Sequence, residues 1–254
     1  MLRSLVTLLC LVFGSLGAFS FAQSTLETMQ REIDEGSYAF AAQVSGPSLI
    51  QDLPNNPEAH YLYAYALYLT GDLATARAEL DTALSLTDNP DPKYELLNGL
   101  LLAASGDTGR AKEVLQASFE RSQNYDVALA WGRIAWQDRD YEGALTGYTA
   151  AANTEQGQLE VWPHLNRGRM LKALDRLEEA LGAFQRAIEV FQANDPGGTV
   201  PDPGYVEAFF RSGEVYELLD DTRQAISFYE AALGADPNYS PARAAIDRLR
   251  RAAP

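Results

Sequence analysis

The sequence predicts an all-α fold, a solenoid of about six helix-turn-helix hairpins with a helix closing its C-terminal end. Three observations predict it. First, Ala41, Ala76, Ala111, Ala144, Ala180 and Ala225 recur 35, 35, 33, 36 and 45 residues apart. A small-residue period near 34 means stacked helical hairpins, because small residues stand where helix backbones approach closely. Second, a small residue follows each by seven positions (Ser48, Ala83, Ser118, Ala151, Ala187, Ala232), and Ala64, Gly99, Gly132, Gly168 and Gly213 precede the last five by twelve. Third, turn residues fall between each pair of helices: Gly71-Asp72, Gly106-Asp107, Arg139-Asp140, Asp175-Arg176 and Asp220-Asp221. Gly accepts the left-handed conformation that ends a helix, and Asp caps the next one.

In chain order, the hairpins span about 24–56, 57–90, 92–124, 125–158, 161–191 and 206–238. The first is degenerate. Gly36, Tyr38 and Ala41 are in register, but Met29 takes a small residue's place and Gly46-Pro47 interrupts the second helix. In the others a large residue sits four after the alanine: Leu80, Leu115, Tyr148, Phe184 and Tyr229. These fill the space that the small residues leave. The 45-residue interval holds a Pro-Gly-rich stretch, predicted as a loop at 192–204. Ser240-Pro241 then starts a cap helix over 241–252, with Ile246 and Leu249 turned inward.

The blocks Pro57–Pro90 and Val206–Pro237 resemble tetratricopeptide repeats, and the resemblance extends over roughly 24–252. It implies a right-handed superhelix whose first helices line a concave, peptide-binding face. Residues three and four apart share a helix face. The stripe so defined includes Tyr61, Tyr65 and Tyr68, then Leu100, then Arg133 and Trp136, then Trp162 and Arg169. Tyr, Trp and Arg carry much of the energy in protein interfaces. Co-chaperones of the family hold a terminal carboxylate with Lys, Asn and Arg on successive first helices. Arg133, Asn166 and Arg211 stand at three matching positions here, but Leu129 and Glu207 replace the two lysines.

Residues 1–22 read as a secretory signal peptide: Arg3, an apolar run from Leu5 to Leu16, and a small-x-small site at Ser20-Phe21-Ala22. The alternative is an inner-membrane anchor over 5–21. Leu9 before Cys10 argues against lipidation. The chain without residues 1–22 has no cysteine. It has 19 basic and 35 acidic residues, a net charge of −16. That charge disfavours nucleic acid, which rewards a basic stripe. Arg-rich, Ala-rich usage points to a GC-rich bacterial genome, and with the signal peptide the expected location is periplasmic or extracellular.

Catalytic and metal motifs are missing, so no enzyme activity, cofactor or metal is expected. His60 and His164 share one repeat position, which predicts matching packing roles. The predicted function is a non-enzymatic scaffold or adaptor of the bacterial envelope. It would hold a protein or peptide partner in its concave groove. The alternative is a subunit of a cell-wall or outer-membrane assembly machine that docks through the convex face, and the weaker one an enzyme without a recognisable motif. Membrane contact is expected only through an uncleaved N-terminal segment.

Overall fold

The computed structural model describes residues 23–194 and 202–252, and all regular structure in them is helical. The signal-peptide reading, with Cys10, and the Pro-Gly run at 195–201 fall outside the described residues. Two compact units divide the chain, one ending at Asp107 and one beginning at Thr108.

The first unit opens with α1 (23–34), α2 (Tyr38–Phe40) and α3 (Gly46–Asp52). The interruption expected at Gly46-Pro47 in the second helix of this hairpin does not occur. The chain stays helical from Tyr38 to Asp52 through a π turn at Ala41–Ser45. There the Gly46 N–H bonds to the Ala41 carbonyl five residues back. The widened turn takes up the register ahead of Pro47, which has no N–H to give. Gly46 lies flat under the Tyr63 ring, where any Cβ would collide. Met29 is wholly buried. The register position that holds Leu80 in the next hairpin holds Ser45 here, so large and small have changed places.

The hairpins that follow use regular signals. Asn56 caps α4 (Pro57–Thr70) by accepting from the N–H groups of Glu58 and Ala59 at 2.9 and 3.1 Å, with Pro57 in the first turn. Gly71, at φ 88°, ends α4 in the left-handed conformation. Asp72 then caps α5 (Leu73–Ser85), and Asp91 caps α6 (Pro92–Ala104). Met29, Leu49, Leu62, Leu80, Leu97 and Leu101 form the core.

The second unit comprises α7 (Thr108–Ser122), α8 (Tyr125–Gln137), α9 (Tyr141–Asn153), α10 (Val161–Ala173), α11 (Leu177–Asn194), α12 (Pro203–Leu218), α13 (Thr222–Ala235) and α14 (Ser240–Ala252), each packed on the next. Its core shows why the small-residue register exists. A Cβ on Gly132, Gly168 or Gly213 would fall within 3.0 Å of the rings of Tyr148, Phe184 and Tyr229 respectively. Those aromatics occupy the room that the glycines vacate. Asp140 and Asp221 cap α9 and α13.

The predicted loop at 192–204 is shorter than the sequence implied. α11 runs on to Asn194, and α12 starts at Pro203 behind the Asp202 cap. The helix continues because Ile188 and Val190 are buried and Phe191 stacks on Tyr205 at 4.2 Å. The side-chain amide of Asn194 reaches the Leu159 carbonyl at 2.7 Å. At the C-terminal end α14 buries Ala242, Ala245 and Ile246, with Leu249 at the edge, and pairs Arg248 with Glu217 and Arg250 with Glu230.

Candidate protein-interaction faces

In the first unit the predicted stripe follows α4 and α6. Tyr61 is no open anchor. It is 9% exposed, stacked between Tyr65 at 6.0 Å and Tyr94 at 4.8 Å. Burial, with Tyr65, Glu58 and Asp91 nearby, raises its pKa. The Tyr94 hydroxyl donates to Glu58 at 2.9 Å, and Lys93 Nζ donates to the same carboxylate at 2.7 Å while lying 5.0 Å from the Tyr61 ring centre. Tyr65, Tyr68 and Leu100 are half-buried and retain accessible surface. Sequence reasoning missed the Glu58–Lys93–Tyr94 cluster. Its signal was the spacing, since Lys93 and Tyr94 follow Glu58 by one repeat period.

In the second unit the stripe follows α8, α10 and α12. Arg169 lies 5.4 Å from the ring centre of Trp136, which is 40% exposed, and its Nη1 donates to Asn166 at 3.2 Å. The Arg over indole is a cation–π contact, and the Asn holds the guanidinium in place. Arg133 is exposed, and neither it nor Arg169 pairs with a carboxylate among the described residues. Arg211 is different. It bonds Glu207 through Nε and Nη2 at 2.9 and 2.8 Å and Glu214 through Nη1 at 3.0 Å. Lys172 also donates to Glu214. Both glutamates lie one turn from Arg211 on α12, where opposite charges meet. The three-residue carboxylate grip implied by Arg133, Asn166 and Arg211 therefore has its third member, Arg211, already neutralised.

Trp162 is 39% exposed but stands apart from this cluster. It sits in the first turn of α10 near Gly204, seven residues before Arg169. That separation is roughly 10 Å along a helix. Trp136, Asn166 and Arg169 are brought together; Trp162 is not. Trp131, one position off the stripe, is buried.

The two histidines match in burial but not in partners. His60 places Nδ1 2.6 Å from Glu79 and Nε2 3.0 Å from the Pro54 carbonyl. His164, equally buried, has no hydrogen-bond partner at either nitrogen among the described residues. Its pKa falls to about 4, mainly through burial, with Arg186 and Arg167 adding to the effect and the Gly157 backbone opposing it. The matching repeat position set the burial and left the bonding to local neighbours.

Models of the tetratricopeptide repeat match residues 32–100 and 165–240. The chain belongs to the tetratricopeptide repeat family. It is 22% identical over 240 residues to a DnaJ homolog subfamily C member 7 homolog of Dictyostelium discoideum, a match covering 87% of this chain and 38% of that protein. It thus spans well under half of that relative's length. It is 27% identical over 145 residues to the photosystem I assembly protein Ycf3 of Parasynechococcus marenigrum (strain WH8102), covering 50% of this chain and 84% of that one. The crystal structure of YrrB, described as a TPR protein with an unusual peptide-binding site, superposes with a TM-score of 0.60 at 20% identity, over 80% of this chain and 98% of YrrB. The tetratricopeptide repeats support a protein-interaction scaffold. No helix among the described residues is long and apolar enough to cross a membrane.

Proposed function

We propose that this tetratricopeptide protein is an exported, non-enzymatic adaptor of a bacterial envelope, and that it holds an acidic partner segment against α8 and α10. One observation carries the reading. Arg169 lies over a half-exposed Trp136, and neither it nor Arg133 has a carboxylate partner among the described residues. In a chain with a net charge of −15, cations left without carboxylates beside an open indole are against the trend. Arg pairs with a carboxylate through two parallel bonds, and an indole supplies contact area at little entropic cost. The peptide-binding site of YrrB and the assembly role in the name of Ycf3 fit a repeat array that holds other proteins. Export rests on Arg3, the apolar run from Leu5 and the Ser20-Phe21-Ala22 site.

The test compares capture of envelope proteins by the wild-type chain and by a Trp136→Ala/Arg169→Glu variant, together with the N-terminal residue of the secreted form. A partner lost by the variant, and a mature chain beginning at Gln23, are expected. Equal capture by both would move the binding site to another face, and an N-terminus at Met1 would leave the anchor at 5–21.

A further inference from the structure

The first unit contains a cation site occupied by its own chain. Lys93 Nζ is held by the Glu58 carboxylate at 2.7 Å and lies 5.0 and 5.8 Å from the ring centres of Tyr61 and Tyr94. One turn further along α4 the same ingredients recur without a cation. Tyr65 continues the stack from Tyr61, its ring nearly parallel at 6°. Tyr65 and Tyr68 are half-buried, and Tyr38 is 38% exposed. α2, which starts at Tyr38, packs on α4, where Tyr68 stands three residues from Tyr65 on the same face, and Asp34 ends α1 four residues before Tyr38. Burial raises the pKa of Tyr65, with Tyr38, Tyr68 and Asp34 adding to it. Asp34 accepts one bond, from the Gln30 side-chain amide at 2.8 Å, and pairs with no cation among the described residues. Residues 23–56 hold five carboxylates and one cation, Arg31.

We propose that Tyr38, Tyr65, Tyr68 and Asp34 form a docking surface for a basic segment of a partner protein, with a lysine or arginine seated on Tyr65 and paired with Asp34. Tyrosine faces attract cations, and the attraction grows when a carboxylate neutralises the cation in the same place. The occupant is basic because the surrounding charge is negative and because Lys93 already fills the neighbouring, equivalent place. The inference is independent of the reading of the Arg169 face, which lies in the other unit and has the opposite charge preference.

The experiment titrates the purified protein with a short arginine-rich peptide, acetylated and amidated at its ends, followed by fluorescence anisotropy and by the NMR signals of the tyrosine rings. Binding should weaken about fivefold in Asp34→Asn and in Tyr65→Leu, and survive in Tyr65→Phe, which keeps the ring face. The Tyr65 ring signals should move on addition of peptide. Four results would overturn the proposal: equal affinity in Asp34→Asn, an equal loss in Glu113→Gln on α7, equally tight binding of a glutamate-rich peptide, or peptide-independent self-association abolished by Asp34→Asn.

Discussion

Gly168 on α10 faces Phe184 on α11 so closely that a methyl group on the glycine would lie within 3.0 Å of three ring carbons. The same relation joins Gly132 to Tyr148 and Gly213 to Tyr229, while Gly147 presses on the backbone of Gly132. Each hairpin of the second unit is thus closed by one glycine and one ring. Gly168→Leu should destabilise the protein by about 1–3 kcal/mol, because overpacking forces the ring or the helices apart. Gly168→Leu combined with Phe184→Ala should recover part of that loss, since the partners couple directly. Chemical denaturation measures both; unchanged stability in the single variant would break the pairing.

The hairpin turns make a second prediction. Gly71 and Gly106 take the left-handed conformation at φ 88°, but Arg139, Asp175 and Asp220 take it at 59°, 59° and 58° with side chains attached. A side chain there costs roughly 1–2 kcal/mol, less for Asp than for Arg. Arg139→Gly should therefore stabilise the protein by about 1 kcal/mol after the larger entropy of an unfolded glycine is counted. Gly71→Ala should lose a similar amount, about 1 kcal/mol, through the backbone alone, since nothing lies within 4 Å to clash. Thermal unfolding of the two variants should move in opposite directions.

His164 makes stability depend on pH. Its folded pKa, about 4, lies below the ordinary histidine value of 6.5, so the unfolded chain binds the proton more readily. The contribution is complete above pH about 6.5 and is lost as the pH falls towards 4. By pH 5 the loss should be about 2 kcal/mol, and it should approach about 3 kcal/mol at lower pH. Urea denaturation at pH 7 and pH 5 should show this difference in the wild type and a smaller one in His164→Leu. An equal pH dependence in both proteins would remove His164 as its source.

Gly132, Gly168 and Gly213 made the helix register legible, because close packing imposes a fixed period. Asp and Gly made the turns legible, because only a few residue types suit them. What escaped was decided by neighbours at distances that no period encodes. Tyr61 looked like an anchor until Tyr94, a period away, covered it. Arg211 looked like a free cation, although Glu207 and Glu214 on its own helix were visible at four and three residues' distance. The π turn ahead of Gly46-Pro47 was hidden because Gly and Pro read as breakers and outweighed the helix-forming Ala41, Ala42 and Gln43 before them. The longer α11 was hidden because Pro and Gly beyond Asn194 outweighed the apolar residues before it.

Glu214 restrains the cationic face, and that gives the last prediction. It accepts from both Lys172 and Arg211, on α10 and on its own helix. Glu214→Gln would free Lys172 wholly and Arg211 in part, leaving Glu207 as the remaining partner. Affinity for a glutamate-bearing peptide should then rise roughly threefold, within the range of a single partly exposed ion pair. The salt dependence of binding should steepen, because newly exposed cations are screened by added ions. Arg211→Ala should change affinity little, since the wild-type guanidinium is already committed to Glu207 and Glu214. The opposite order, with Arg211→Ala abolishing binding and Glu214→Gln without effect, would mean that Arg211 leaves its glutamates to grip the ligand and that the free Arg169 is not the anchor.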